Sequence, residues 1–218
     1  MSRRIATLAL GILLSACQPD SAGSRPQGDG YDFFVLSLAW SPTYCEIEGD
    51  RASRQQCGSR ESFDFIVHGL WPQFERGWPE FCQSREPSRV PNDLVREVAD
   101  IMPSAGLVGH QWRKHGSCAG LNQRDYFSLV RAAWEKVKIP RVFEDTGRDL
   151  TVSPVEVENA FRSANPSLPA DGIAVTCENR MISEVRICMT KSLEFRSCTE
   201  IDAKGCKMPR ASLPASAR

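Results

Sequence analysis

The apolar positions of this chain change their period along its length. "FFVLSLAW", residues 33 to 40, and "FDFIVHGLW", residues 63 to 71, are short runs rich in aromatic and β-branched residues, the signature of buried strands. Pro42 and Pro72 stand where each strand is expected to stop. From Pro91 onward Leu94, Val98, Ile101 and Met102 recur at helical spacing, and Pro103 closes that segment. A further helix is predicted from about Asn122 to Val137, with Phe127, Val130, Trp134 and Val137 on one face and Pro140 beyond it. In "SPVEVENAF" Ser153 is a natural N-cap, Pro154 takes the first helical position and Glu156 completes a capping box; Asn165 and Pro166 end the helix. After residue 172 the period falls to two, and "IAVTC", "EVRICMT" and "LEFRSC" read as short strands carrying cysteines. The tail "KMPRASLPASAR" has no core-forming pattern, and no internal repeat is visible. Helices grouped in the middle, with strands before and after, predict an α+β fold and not alternating βαβ units.

The first residues are built differently. Arg3 and Arg4 precede an apolar run from Ile5 to Leu14 and then small residues, the build of an export signal. The run is too short to span a bilayer comfortably. "LSAC", ending at Cys17, resembles a bacterial lipobox, which implies acylation of that sulfur and cleavage just before it. Gln18 in the next position points to the outer membrane; a plain signal peptide with an incidental cysteine is the alternative. "QPDSAGSRPQGDG" reads as a flexible tether. The expected organisation is a signal over residues 1–16, a tether over 17–30, one catalytic domain over 31–206 and a disordered tail over 207–218. Such a chain is exported and either periplasmic, lipid-anchored there, or secreted.

Charge and cysteine content narrow the classes. Lysine plus arginine equal aspartate plus glutamate at 27 each, so a polyanionic partner has to be held by a local cluster of cations and not by a global basic field. Setting Cys17 aside leaves eight of the nine cysteines: Cys45, Cys57, Cys82, Cys118, Cys177, Cys188, Cys198 and Cys206. An even remainder in an exported chain predicts up to four disulfides, although eight cysteines allow 105 pairings and spacing alone does not choose among them. Zinc competes weakly, because no C-x-x-C pair occurs.

The chemistry concentrates in two stretches. His68 follows an apolar strand and precedes Gly69, so its imidazole can emerge at a strand end. "HQWRKHGSC", residues 110 to 118, packs two more histidines beside Arg113, Lys114 and Cys118, with Gly116 as a helix terminator. On a helix Gln111, Lys114 and His115 share a face, whereas His110 and His115 lie about 140° apart and make a poor metal pair. A zinc hydrolase using His110, His115 and Cys118 therefore fails on spacing. Concerted proton transfer at a phosphodiester fits better. Cleaving RNA through its own 2′-hydroxyl needs a base, an acid for the leaving 5′-oxygen, and cations at the crowded phosphorus. Two histidines supply one neutral and one protonated ring near neutral pH, with no metal required.

At these residues the chain resembles the ribonuclease T2 family, whose two active-site segments read H-G-L-W-P and H-E-W-x-K-H-G-[ST]-C. The first stands here as His68 to Pro72 and the second as His110 to Cys118; the likeness continues through "FFVLSLAWSPTYC" and "EVRICMTKSL". The resemblance implies a central antiparallel sheet with packed helices, stabilised by disulfides. It implies His68 and His115 as the acid and base, with His115 accepting the 2′-hydroxyl proton, Lys114 stabilising phosphoryl charge, His110 binding phosphate and Trp71 stacking a base. Products would be 2′,3′-cyclic phosphates and then 3′-phosphates, with broad base tolerance. The enzyme would be a monomer with no cofactor, acting on RNA and not DNA, and touching a membrane only through its lipid. The implied disulfides are Cys82 with Cys118, Cys45 with Cys57, Cys177 with Cys206 and Cys188 with Cys198. Two positions depart from the family pattern. Gln111 replaces a glutamate, so an amide hydrogen bond to a phosphoryl oxygen replaces a proton shuttle and the pH dependence should change. Gln73 falls where some relatives carry an acid linked to base choice. Gln111 is also the one feature favouring a rival reading, a catalytically weakened RNA-binding or cell-envelope protein on the same fold.

Overall fold

Strand β1 (Phe33–Trp40) serves two different cores with its two faces. Phe34, Leu36, Leu38 and Trp40 point into the large core, whereas Phe33 and Val35 belong to a small cluster on the opposite face. The computed structural model describes residues 30–58 and 63–216; the signal segment, Cys17 and the tether up to residue 29 lie outside them.

β1 is flanked by β2 (Phe65–Gln73) and β5 (Met181–Met189), both antiparallel to it. Beyond β5 lie β4 (Ile173–Glu178), antiparallel, and β6 (Ala211–Leu213), which touches β5 in parallel and pairs antiparallel with β3 (Leu150–Val152). The helices are α1 (Ser41–Glu48), α2 (Arg54–Cys57), α3 (Asn92–Glu97), α4 (Ala105–Lys114), α5 (Gln123–Lys136), α6 (Pro154–Ala164) and α7 (Thr199–Ala203). This is the α+β architecture expected, with one short parallel contact in an otherwise antiparallel sheet.

Local chemistry explains the helix boundaries. The Asn122 side chain accepts the Asp125 N–H at 2.9 Å to start α5, and Ser153 with Glu156 forms the reciprocal capping box of α6. The apolar faces of these helices, Phe127 and Val130 on α5 and Val157 and Phe161 on α6, close over the large core. An aromatic group of Trp40, Phe65, Phe143 and Phe161 fills its centre. Tyr126 of α5 is fully buried and donates to the Leu70 carbonyl at 2.8 Å, which fastens α5 to β2.

Four expectations need correction. β2 runs through Pro72 to Gln73, because it is the last strand in the order β2-β1-β5 and an edge tolerates a proline that makes no outward ladder bond. α3 stops at Glu97, and turns carry Val98, Ile101 and Met102 into the core, where the Ile101 carbonyl accepts the Val67 N–H at 2.8 Å. "LEFRSC" is not a strand; Phe195 forms a single bridge to Met189. The tail is not structureless: Ala211 and Leu213 are buried in β6, and the Trp40 indole donates to the Pro214 carbonyl at 2.9 Å.

The disulfides are Cys45–Cys57, Cys82–Cys118, Cys177–Cys206 and Cys188–Cys198, the pairing implied by the family resemblance. Cys82–Cys118 encloses the longest stretch, a separation of 36 residues, and Cys45–Cys57 a separation of 12. On the chain-entropy account these loops contribute roughly 4 and roughly 3 kcal/mol. Replacing Cys82 and Cys118 together by serine is expected to lower the unfolding free energy by more than the same change at Cys45 and Cys57, in urea titrations at fixed pH. Equal losses would show that the longer loop is held by its packing alone.

Candidate active site

A β-bulge places the first histidine. Val67 pairs with Leu38 and Gly69 with Ser37, which leaves His68 as the extra residue on β2. The bulge allows Val67 and Leu70, three residues apart, both to enter the large core, while Trp71 turns to the opposite face and packs on the small cluster. Beside His68 on that face β1 carries Ser37 and Ala39 between β2 and β5. Those side chains are small, so His68 reaches across the strand and its Nδ1 bonds a carboxylate oxygen of Glu184 on β5. Arg186 holds the other oxygen with its Nε at 2.9 Å and Nη2 at 2.7 Å. Burial would push the Glu184 carboxyl up, but the hydrogen bond and charge of His68, with the Arg186 guanidinium, outweigh it and bring the carboxyl down to about 2.

Helix α4 places the second group. The Ser104 hydroxyl caps it, and its last turn presents Gln111, Lys114 and the C-capping His115. His110 is exposed on its outer face, and His115 is buried. Burial, then the positive charge of Lys114, then the two other histidines, bring the His115 imidazole down to about 3. Among the described residues its Nδ1 has no hydrogen-bond partner. The His110 imidazole is also lowered, by burial and by Lys114, Arg113 and His68. Phe81, with φ of 50°, donates its N–H to the Lys114 carbonyl at 2.8 Å, and Cys82–Cys118 ties the same loop beside His115. Lys114 Nζ lies 3.7 Å from Glu80 on that loop.

Trp71 joins the two halves. Its ring centre is 5.3 Å from that of His68, edge to face, and 5.2 Å from that of His115, stacked at 28°. The Arg186 guanidinium also lies 5.3 Å from the centre of the indole. The indole N–H donates to Gln111 Oε1 at 2.7 Å, and that contact requires glycine at 69: a Cβ there would stand 2.1 Å from Gln111 Oε1 and 2.3 Å from Trp71 Nε1. Gly116 is needed for a similar reason and not as a left-handed terminator, since a Cβ would lie 2.5 Å from the buried Trp112 ring. Beside His68 opens a cavity of about 690 Å³ lined by His110, Glu184, Arg186, Tyr44, Leu107 and Thr176 among others.

The structure thus gathers His68, His110, Lys114, His115 and Trp71 in one place. It does not present the two glutamines to it. Gln111 is 1% exposed and its oxygen is taken by Trp71, so it anchors the indole where donation to phosphate was expected. Gln73 is 4% exposed and donates to the Pro72 carbonyl at 3.1 Å, away from the cavity lining. Cys118 is bonded to Cys82, which removes the thiolate from the zinc set considered above. Sequence reasoning missed Glu184 and Arg186. Their signal was an acid and a base spaced by two in an otherwise apolar, alternating strand, a spacing that puts both on one face. It also missed Trp78 and Phe81, large apolar side chains exposed on the loop beside Lys114.

Fold and site together define a ribonuclease. Residues 31–198 match the model of the Ribonuclease T2 family, and the chain belongs to that family as a T2-type endoribonuclease. It is 34% identical to a "Ribonuclease" of Aeromonas hydrophila over 84% of this chain and 82% of that one. It is 30% identical to a "Probable ribonuclease" of Haemophilus influenzae over 77% of this chain and 61% of that one. Among solved structures, an RNase-related protein from Calystegia sepium shares the fold with a TM-score of 0.67 at 21% identity, over 86% of this chain and 98% of that one. Among the described residues no helix is long and apolar enough to cross a membrane.

The buried His115 makes stability depend on pH. Below its ordinary value of 6.5 the unfolded chain takes up a proton that the folded chain refuses until about pH 3, so stability falls as pH falls through that window. Glu184 adds to the loss only in the carboxylate range. In unfolding experiments from about pH 6 down to about pH 5, His115→Gln should remove a slope of up to ~1.4 kcal/mol per pH unit. An unchanged slope would mean the folded protein protonates His115 readily.

Proposed function

We propose that the chain cleaves single-stranded RNA without a metal, by attack of the 2′-hydroxyl on the adjoining phosphorus, with His115 as base and His68 as acid. The observation that carries this reading is the contrast between two imidazoles that touch one indole. His115 is buried beside Lys114 with its proton affinity lowered, so it is neutral at neutral pH and accepts the 2′-hydroxyl proton. His68 rests its Nδ1 on the Arg186-clamped carboxylate of Glu184, which fixes the ring and leaves Nε2 to protonate the departing 5′-oxygen. Lys114 supplies positive charge, and His110 a ring N–H donor, where the phosphorane gains negative charge. The product of this step is a 2′,3′-cyclic phosphate, and water entering in place of the departed nucleoside opens it to a 3′-phosphate with the two histidines exchanging roles.

The cavity beside His68 suits the departing nucleoside, because it adjoins the acid and is lined by the Tyr44 ring and Leu107, surfaces that stack or pack without selecting a base. Trp78, exposed beside Lys114, offers a flat surface on the other side. Trp71 acts here as the common support of both histidines, with its indole N–H already committed. Export to the periplasm, with or without an acyl chain on Cys17, fits a protein whose site depends on the Cys82–Cys118 bond.

The test is incubation of the protein with RNA and with DNA in the presence of EDTA. Expected are cleavage of RNA alone, cyclic phosphate ends, and a loss for His115→Ala or His68→Ala on the order of 100- to 10,000-fold in variants that keep their circular dichroism. DNA cleavage, EDTA inhibition or an active His115→Ala variant would end this reading. Glu184→Gln should cost about 10- to 100-fold in kcat with little change in KM, because the His68 ring loses the carboxylate that orients it. A wild-type kcat in that variant would reduce Glu184 to a packing role.

A further inference from the structure

Two cations near the site have no part in the chemistry above. Arg113 on α4 and Arg89 in the segment before α3 line a second cavity, of about 380 Å³, together with Ser88, Asn92, Gly106 and Gly109. The carboxylates of the neighbouring α3 are already engaged: Arg124 bridges Asp93 at 3.2 Å and Glu97 at 3.2 Å. Among the described residues neither Arg89 nor Arg113 has a carboxylate within ion-pair distance.

The cavity is built from held parts. The buried Trp112 indole donates to the Pro87 carbonyl at 2.9 Å, and the buried Gln123 amide donates to the carbonyls of Pro87 at 2.6 Å and Arg89 at 3.2 Å. These bonds fix the backbone that carries Arg89 against α4. Arg113 lies back along the helix, with Nη1 3.1 Å from where a Cβ on Gly109 would stand. Gly106, Gly109, His110 and Arg113 follow the i, i+3, i+4, i+7 spacing of one helical face. Gly106 borders both cavities, so the wall between them is low, with His110 in the first and Arg113 in the second. Residues three apart on a helix have Cβ atoms only ~5–6 Å from each other.

We propose that Arg89 and Arg113 form a subsite for a second phosphate of the RNA strand, next to the scissile one, with the strand crossing α4 at Gly106 and Gly109. The proposal rests on the RNA-cleavage reading above. A strand seated at His110 has to leave the first cavity, and every nucleotide it adds brings one more phosphate. Two guanidiniums present planar donor pairs that match its oxygens. The low glycine wall lets the backbone pass close to the helix.

The test compares a dinucleoside monophosphate, which has only the scissile phosphate, with oligoribonucleotides two residues longer on the 5′ or the 3′ side. Wild type should favour one longer substrate in kcat/KM. Arg89→Gln and Arg113→Gln should each lower the ratio of long to short on the order of ten-fold, and flatten the dependence of log kcat/KM on log salt by about 0.7. An equal effect on both substrates, or none on either, would overturn the subsite. Anisotropy with a 2′-O-methyl oligoribonucleotide, which lacks the nucleophile, reads the same contact without catalysis. Loss of binding in the arginine variants of a protein that cleaves no RNA would sink the cleavage mechanism and leave the subsite; cleavage without any preference for length would do the reverse.

Discussion

His68 meets Glu184 only because the strand between them carries serine and alanine on that face. β2 and β5 are separated by the whole width of β1, roughly 10 Å, and a larger residue at Ser37 or Ala39 would fill the space their side chains use. The opposite face of the same strand carries Phe34, Leu36, Leu38 and Trp40, all buried. One alternating sequence therefore supplies the sheet's adhesion to the helices on one side and a shallow seat for polar chemistry on the other. The bulge at His68 makes the two demands compatible, since it moves one side chain out of phase without withdrawing Val67 or Leu70 from the core.

The two imidazoles owe their difference to neighbours and not to position in the chain. His68 sits at the end of a carboxylate and guanidinium chain that orients its ring. His115 sits between an indole and a lysine, with burial opposing charge. Trp71 couples them, and Gly69 and Gln111 hold Trp71. Gln111 in place of a glutamate thus leaves the indole anchored, and the single feature that favoured a weakened relative has a structural task.

Much of this was legible. The two histidine segments, the capped helices α5 and α6 and the even cysteine count each state a local requirement that neighbouring residues satisfy. The unread parts depend on distant partners. β3 and β6 are three residues each, too short for any period to show, and exist because they pair with one another. The end of β2 was misjudged at Pro72 because a proline's effect depends on whether its strand is at an edge, which the sequence does not state. Glu184 was hidden for a related reason: its partner His68 is 116 positions away in the chain. Gln73 looked like a substrate contact by its place in a motif, and only packing reveals that it faces inward.

β6 sits between β5 and β3, and Pro214 behind it takes the indole hydrogen of Trp40 at the centre of the large core. The last of the described strands is therefore internal to the sheet order. Without residues 211–214 β3 has no pairing partner and a core tryptophan has an unsatisfied donor, so the sheet and the large core are completed by the same short segment.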